Sequence, residues 1–506
     1  MANLFDYKVN LQPAVMDIRS ETLEPISSST MRYVFRLDQA GELDSNSVLL
    51  FKPLLAGNGA HREHHQRVNA WGGGLLAIKR AIFQVGDYIL NDIQDVGRIS
   101  NLVDMGTINS SNNSKYNGHY FKNNTQFRVL EHGGSQGVNL AGGSESQAGG
   151  TGTIVYDRAR SAIDFGIVNN NAAQDGKVNN CVITNDVATN HQIGIPLGNL
   201  FPCLKGQNIP LFLFQDYRIL ITIEFASCEN WVNMVRKDTN SNSQISIAGD
   251  VSPAEVKLQV DYIIYPSEVQ NKQREQTAAQ GGLNLAFPDI IKVEKQIAEA
   301  GANDAANSGL TQTVEHRIGM DNKEVHSIYM LKKLDRANPS NHDKLFLNAR
   351  CDGMDIEEYN VNIDGVDVFQ ENKWNPSSQY DETTNCLGDN LKIPRPVYFN
   401  DCNTYMSRLA DATGAILGKM KPLCLDLKNG NGGIVGGGRS IGAYPIIWKY
   451  QRKPTARVLN KAGAGNEAGE LVERLNGSMS VDYFVYCSRT ANITSTPSGT
   501  SVMVAY

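Results

Sequence analysis

The sequence predicts an all-β protein made of two tandem eight-stranded antiparallel jelly rolls, with long loops and a few short helices. Three observations predict it: short apolar runs with period-two alternation between turn-forming residues, one strand motif that occurs twice, and a length beyond a single core. At 506 residues the chain exceeds the size at which one hydrophobic core stops growing. Gly is frequent at 46 residues, and Asn-rich stretches such as Asn169-Asn170-Asn171 add further turn formers.

In chain order, residues 1–30 read as an irregular N-terminal arm, and a first jelly roll is expected over 31–265. It opens with the alternating run Met31 to Leu37 and the apolar run Val48-Leu49-Leu50-Phe51. Leu76 to Val85 leads through the turn pair Gly86-Asp87 into Tyr88-Ile89-Leu90. Asp92 to Leu102 then suits a short helix, with Asp92 as cap and Ile93, Val96 and Ile99 on one face. A long insertion rich in Gly, Ser and Asn is expected at about 103–190; loops of that length are usually functional surface elements. Strand signals return at Ile209–Phe214, Arg218–Phe225 and Glu255–Tyr265. Residues 266–310 read as a polar linker holding one short helix from Pro288 to Ala300, closed by Gly301, with Ile290, Val293 and Ile297 on its inner face. A second jelly roll is expected over 311–506.

The duplication carries the architecture. Val260-Asp261-Tyr262-Ile263-Ile264-Tyr265 recurs as Val481-Asp482-Tyr483-Phe484-Val485-Tyr486, with the two non-identical positions both apolar. Val260, Tyr262 and Ile264, like Val481, Tyr483 and Val485, would share one strand face. A second echo pairs Val85-Gly86-Asp87-Tyr88 with Ile363-Asp364-Gly365-Val366, both hairpin-like. From Gly86 to Val260 is 260 − 86 = 174 positions and from Gly365 to Val481 is 481 − 365 = 116, so the first copy carries 174 − 116 = 58 more. The loop-rich stretch after 103 can absorb them. Sheet edges must be closed or covered, and a two-sheet jelly roll does so at this size.

Composition bounds the partners. The formal net charge of -6 argues against a protein that wraps nucleic acid directly, so no sequence-specific nucleic-acid partner is expected. The first residues lack the basic head and apolar run of a signal peptide, and no apolar run has the roughly 20 residues a membrane span needs. The eight cysteines are scattered without a CxxC pair, which reads as free buried thiols in a reducing compartment.

One block resembles a known family. Ile195-Pro196-Leu197-Gly198-Asn199-Leu200-Phe201-Pro202, followed by Ile209-Pro210-Leu211-Phe212-Leu213-Phe214-Gln215-Asp216-Tyr217-Arg218-Ile219 and by Ile221-Thr222-Ile223-Glu224-Phe225, is similar to a signature of one group of proteins. These are the double jelly-roll major capsid proteins of nucleocytoplasmic large DNA viruses and their virophage and polinton-like relatives. The region from Ile78-Lys79-Arg80 through Gly86-Asp87 to Ile93 and Leu102 resembles the matching part of that family. The resemblance implies a homotrimeric, pseudo-hexagonal capsomer of an icosahedral shell around a DNA genome. It also implies neighbouring capsomers, penton and minor capsid proteins as partners, a place in the virion shell, and no enzymatic activity or cofactor. A trimer of duplicated domains presents six similar sides, so it tiles a hexagonal lattice with only threefold symmetry.

Other motifs compete weakly. His61, His64 and His65 form the densest metal-like cluster, but Arg62 stands where a zinc protease needs Glu, and Gly57-Asn58-Gly59 beside it suggests an exposed loop. Asn360 to Glu371 nearly matches a calcium loop, yet Val361, Ile363, Val366 and Val368 alternate about Asp364-Gly365 as in a hairpin. Gly414 to Met420 lacks the Ser or Thr of a phosphate loop, and Gly432 to Gly438 sits in no strand–loop–helix unit. Lys449, Arg452, Lys453, Arg457 and Lys461 form a local basic run that reads as a solvated face, or as an inward face toward genome, lipid or a minor capsid protein. Two other functions remain open: a jelly-roll carbohydrate-binding or attachment protein, for which Trp71, Trp231, Trp374 and Trp448 look too dispersed, and a metal-dependent jelly-roll enzyme.

Overall fold

The computed structural model describes residues 17–55, 64–68, 73–107, 192–205, 207–214, 216–227, 230–236, 251–297, 312–334, 351–352, 356–373, 376–387, 420–421, 423–428, 438–452, 456–459, 471–474, 479–496 and 499–505. The insertion expected at 103–190 lies outside them from residue 108 onward.

Among the described residues the first barrel has eight main strands, with two-residue strands at Ser27–Ser28, Glu42–Leu43 and Ile209–Pro210 added to its sheets: β1 (Asp17–Leu23), β2 (Arg32–Leu37), β3 (Val48–Leu55), β4 (Ile78–Val85), β5 (Tyr88–Gln94), β6 (Ile193–Pro196), β7 (Ile219–Phe225) and β8 (Val251–Ile264). One sheet runs β1-β8-β3-β6 and the other β2-β7-β4-β5, all antiparallel. The alternation seen in the sequence fills the space between them. On β7, Ile219, Ile221, Ile223 and Phe225 are buried, and on β4, Ala81, Phe83 and Val85 join them. Each buried Ile, Val or Phe side chain contributes about 1.5–3 kcal/mol of burial, which also pins the register.

The second barrel repeats the plan with β9 (Leu283–Ile297), β10 (Gln312–Ile318), β11 (Glu324–Leu334), β12 (Ile356–Ile363), β13 (Val366–Asp367), β14 (Leu423–Asp426), β15 (Ile446–Arg452) and β16 (Met479–Thr496). Its sheets run β9-β16-β11-β14 and β10-β15-β12-β13. Numbered within each set, both barrels have the order 1-8-3-6 and 2-7-4-5. The duplicated motif therefore occupies the eighth strand of both barrels, β8 and β16. A further strand, β17 (Gly499–Ala505), pairs with the end of β16.

Both echoed turns are two-residue hairpins, closed by Val85 opposite Tyr88 and by Ile363 opposite Val366. Gly86 has φ 58°, while Asp364 and Gly365 have φ 53° and 81°, the left-handed angles that tight hairpins require. The near-calcium loop is thus a hairpin. Asn360 donates to the Phe369 carbonyl at 3.2 Å and to Asn372 Oδ1 at 3.0 Å, and Asn362 donates to Asp367 at 2.8 Å.

Three expectations are corrected. The arm expected over 1–30 contains β1, which pairs with β8 from Asp17 opposite Ile264 to Leu23 opposite Leu258. The helix expected over Asp92–Leu102 starts later, as α1 (Val96–Thr107), and Asp92 caps nothing. Asp92 belongs to β5, where its carboxylate receives Arg80 at 2.7 and 2.6 Å, and the chain turns at Asp95 with φ 49°. Ile93, Val96 and Ile99 are all buried, so three-residue spacing runs unbroken across a strand-to-helix junction.

The third correction falls in the segment 266–310. Its helix is α2 (Ser267–Ala279), while the described part of the expected helix, Pro288–Ile297, lies in strand β9, which pairs with β16 along its whole length. Ile290, Val293 and Ile297 mimic helical spacing because both faces of this strand are covered. Ile290 packs in the first barrel's apolar cluster, and Val293 and Ile297 pack in the second's. A last helix, α3 (Pro376–Leu387), follows β13.

Candidate functional site at the junction of the two barrels

The two barrels meet where β9 lies against β5 and the turn at Pro202–Leu204, and where charges of β9 and β16 reach α1 and the turn before it. The first barrel's apolar cluster runs on into Leu283, Leu285, Phe287, Ile290, Phe484 and Ile493, all from the second barrel's strands. On β16, Val481, Tyr483 and Val485 face their own core, while Phe484 faces the neighbouring barrel. Alternation along one strand thus serves two cores.

Buried charges cross this junction. Asp482 is fully buried and binds Arg98 of α1, itself 7% exposed in its side chain, and also Lys292 of β9 at 3.2 Å. Lys292 binds Asp95 as well, at the turn before α1. Burial works against the Lys292 ammonium, but Asp482 and Asp95 outweigh it and its pKa is raised. A second cluster lies beside the first. Asn91 of β5 donates to Asp289 at 2.9 Å and accepts from the Cys203 amide at 3.0 Å. Arg489 donates to Asp289 at 3.0 Å and to the Leu90 carbonyl at 2.9 Å. Removing one partner from such a site leaves a buried charge uncompensated, a loss of about 3–5 kcal/mol. These charge pairs bridge the two barrels.

A cavity of about 210 Å³ opens at the same junction, with Val96, Leu200, Pro288, Ile290, Tyr329 and Tyr486 in its wall. Two polar groups in the wall bond to the protein: Lys428 Nζ donates to the Cys386 carbonyl at 3.1 Å, and His326 Nε2 lies 2.6 Å from Ser488 Oγ. The thiols of Cys203, Cys386 and Cys487 are buried and free, and burial pushes each upward, Cys487 to about 12. Such thiols stay protonated and poorly nucleophilic.

The residues singled out in the sequence take several places. Ile195, Leu197, Ile209, Leu211, Ile223 and Phe225 are buried in the first barrel's core, and Pro196 and Pro210 end strand segments. Glu224 lies 3.7 Å from Arg32 and 3.9 Å from Arg80. Gln215 and His61 lie outside the described residues, and the backbone of His64 and His65 belongs to a strand pair with Val235–Arg236. No group of three potential metal ligands occurs among the described residues. In the basic run, Lys449 is exposed on β15, whereas Lys453 and Lys461 lie outside the described residues. Trp231 and Trp448 are fully buried, and Trp71 and Trp374 lie outside the described residues.

Of the duplicated motif, Asp482, Phe484 and Tyr486 reach the junction. Arg98, Lys292, Asp289 and Arg489 were not singled out, because each looks like an ordinary surface charge. The available signal was a charge set inside an apolar run, as in Ile290-Ile291-Lys292-Val293 and Val481-Asp482-Tyr483-Phe484-Val485.

Neither a family model nor a curated relative matches the sequence. Among solved structures, the chain is similar to VP54 of PBCV-1 as fitted into a reconstruction of the virophage Sputnik. The TM-score is 0.53 at 10% identity, over 97% of each chain. A chain of the PBCV-1 virus capsid model gives 0.52 at 11% identity, again over 97% of each chain. A chain of the Sputnik virophage structure gives 0.50 at 9% identity, over 97% of this chain and 88% of that one. The shared property is the double jelly-roll fold across nearly the full length.

Proposed function

We propose that this chain is a major capsid protein, a structural subunit that forms a homotrimeric pseudo-hexagonal capsomer and assembles into the icosahedral shell of a DNA virus. The observation that carries this reading is the pair of barrels with one strand order, bridged by buried charge. Each chain then supplies two of six similar sides, and three chains complete a hexagonal tile. The full-length fold likeness to a protein of the PBCV-1 capsid supports the same reading. The mechanism is assembly: barrel edges meet neighbours, and no bond is made or broken. Neighbouring capsomers contact the flanks, minor capsid proteins line the shell, and fivefold vertices take a different, penton protein.

Sedimentation and negative-stain microscopy of the purified chain test the proposal. A capsomer subunit of 55.5 kDa sediments as a species of 3 × 55.5 = 166.5 kDa and shows hexagonal outlines, alone or in plates. A strict monomer across low and high salt removes the proposal.

A further inference from the structure

The junction cavity is graded from an apolar interior to a cationic rim. Its wall comes from both barrels, with α1 and the turns over 197–204 on one side and β9, β11 and β16 on the other. Val96, Leu200, Ile290 and Tyr329 are buried along the inner part. The Tyr329 hydroxyl is already engaged, since it donates to the Cys386 carbonyl at 3.2 Å. Toward solvent the wall changes character: Lys205 is exposed, and Val103 and Lys428 are half-buried.

The charge at the rim has one sign. No Asp or Glu lines the cavity among the described residues, whereas Lys205 and Lys428 both do. Lys428 Nζ donates to the Cys386 carbonyl, and an ammonium carries further N–H donors beyond that one. Asp426 accepts from the Lys428 amide at 3.2 Å and stands outside the wall. Burial lowers the His326 pKa below its ordinary 6.5, so this wall residue is neutral at pH 7. Size sets the other bound. An apolar cavity of about 150 Å³ takes up benzene, so one of about 210 Å³ suits a tail of about eight carbons. Water is a poor occupant of such an interior, because it needs several polar partners.

We infer that the cavity is a binding site for a small amphiphile with one carboxylate, a medium-chain fatty acid. Its tail lies among Val96, Leu200, Ile290 and Tyr329, and its carboxylate points to the rim lysines Lys205 and Lys428. The tail exchanges water for buried hydrocarbon, while the charged end stays at the solvent side and is spared the cost of deep burial. A ligand seated there touches both barrels at once and binds only their folded junction, so its binding adds to stability. The site lies within one chain and needs no second copy, so it stands or falls independently of the capsomer reading.

Octanoate titrated into the purified chain tests the site, with octanol matching the tail and acetate matching the charge. Calorimetry should show one octanoate bound per chain, and the melting temperature should rise with octanoate concentration; acetate should do neither. Replacing both rim lysines, Lys205→Gln with Lys428→Gln, should weaken octanoate about tenfold or more and leave octanol unchanged. Val103→Trp, which narrows the half-buried rim, should abolish binding of both, with circular dichroism checking that each variant is folded. In the unmutated chain, an octanoate bearing a photoreactive diazirine on its tail should label residues 96–103, 197–204 or 288–290. No saturable octanoate binding, binding that survives in folded Val103→Trp, or labels that fall elsewhere would overturn the site. Equal loss of octanol and octanoate in the lysine variant would overturn the carboxylate assignment.

Discussion

Asp261 and Asp482 hold the same place in the same motif, on equivalent strands of two barrels with one topology, yet they do different work. Asp261 is half-buried and accepts from Ser20 at 2.6 Å at the edge of the first barrel. Asp482 is fully buried and neutralises Arg98 and Lys292 between the barrels. What differs is the neighbour. A duplicated strand keeps its own register and core face, and the surface that covers its other side decides whether its charge is incidental or structural.

The largest expected effect follows from that contrast. Asp482→Ala should lower unfolding stability by about 3–5 kcal/mol, because two cations stay buried without their shared partner. Asp261→Ala should cost under about 1 kcal/mol, since its group reaches water. Urea unfolding of both variants beside the parent chain measures the difference. Similar costs at the two positions would mean that the junction charges do not hold the barrels together.

The turn glycines come next. Gly86 and Gly365 sit in equivalent hairpins with φ of 58° and 81°. A Cβ on Gly365 meets nothing within 4 Å, whereas one on Gly86 would lie 2.4 Å from the Tyr217 ring. Gly365→Ala should therefore cost only the left-handed backbone penalty, about 1–2 kcal/mol. Gly86→Ala should add an overpacking cost of about 1–3 kcal/mol. Tyr217 is tied to Thr500, so the ring cannot move without loosening β17 from the first barrel. Thermal melts of the two variants rank them, and a larger loss at Gly365 would contradict the contact between Gly86 and Tyr217.

How much of this was legible in the sequence depends on what each residue faces. The eighth strands were readable as a repeat because in both barrels the equivalent residues, Val260 and Tyr262 or Val481 and Tyr483, are fully buried. The two-residue hairpins were readable from their Gly and Asp. Strand β9 was not, since burial on both faces erases period-two alternation and leaves apolar spacing that suits a helix equally well. The irregular arm concealed β1 for the opposite reason: its side chains are mostly exposed, so alternation carries no signal there. Nor could the junction charges be paired, because ion pairs between residues about 190–385 positions apart leave no local pattern.

The remaining strands diverged because equivalent core layers use different chemistry. His316 stands opposite Trp448 where the first barrel has Phe35 opposite Ile221. Tyr359 stands opposite Tyr450 where it has Ala81 opposite Ile223. The first layer is hydrocarbon throughout, whereas the second adds polar atoms: His316 Nδ1 lies 2.8 Å from the Tyr483 hydroxyl, and its ring meets Tyr450 edge-on at 5.6 Å. Burial, with Lys295 adding to it, lowers the His316 pKa to about 4. The unfolded value is near 6.5, so between these two values the unfolded chain takes up a proton that the folded chain refuses. Stability should then fall as pH falls through that window, and the loss should stop below about pH 4. Replacing His316 by Phe, the residue of the first barrel, should remove roughly 1–2 kcal/mol of this loss, less than the ceiling of about 1.4 kcal/mol per pH unit allows. Acid titration of unfolding stability in parent and His316→Phe chains reads that difference directly, free of the other groups that titrate in both. Parallel curves would mean that the imidazole stays protonated inside the barrel, with the Tyr483 hydroxyl turned to accept from it.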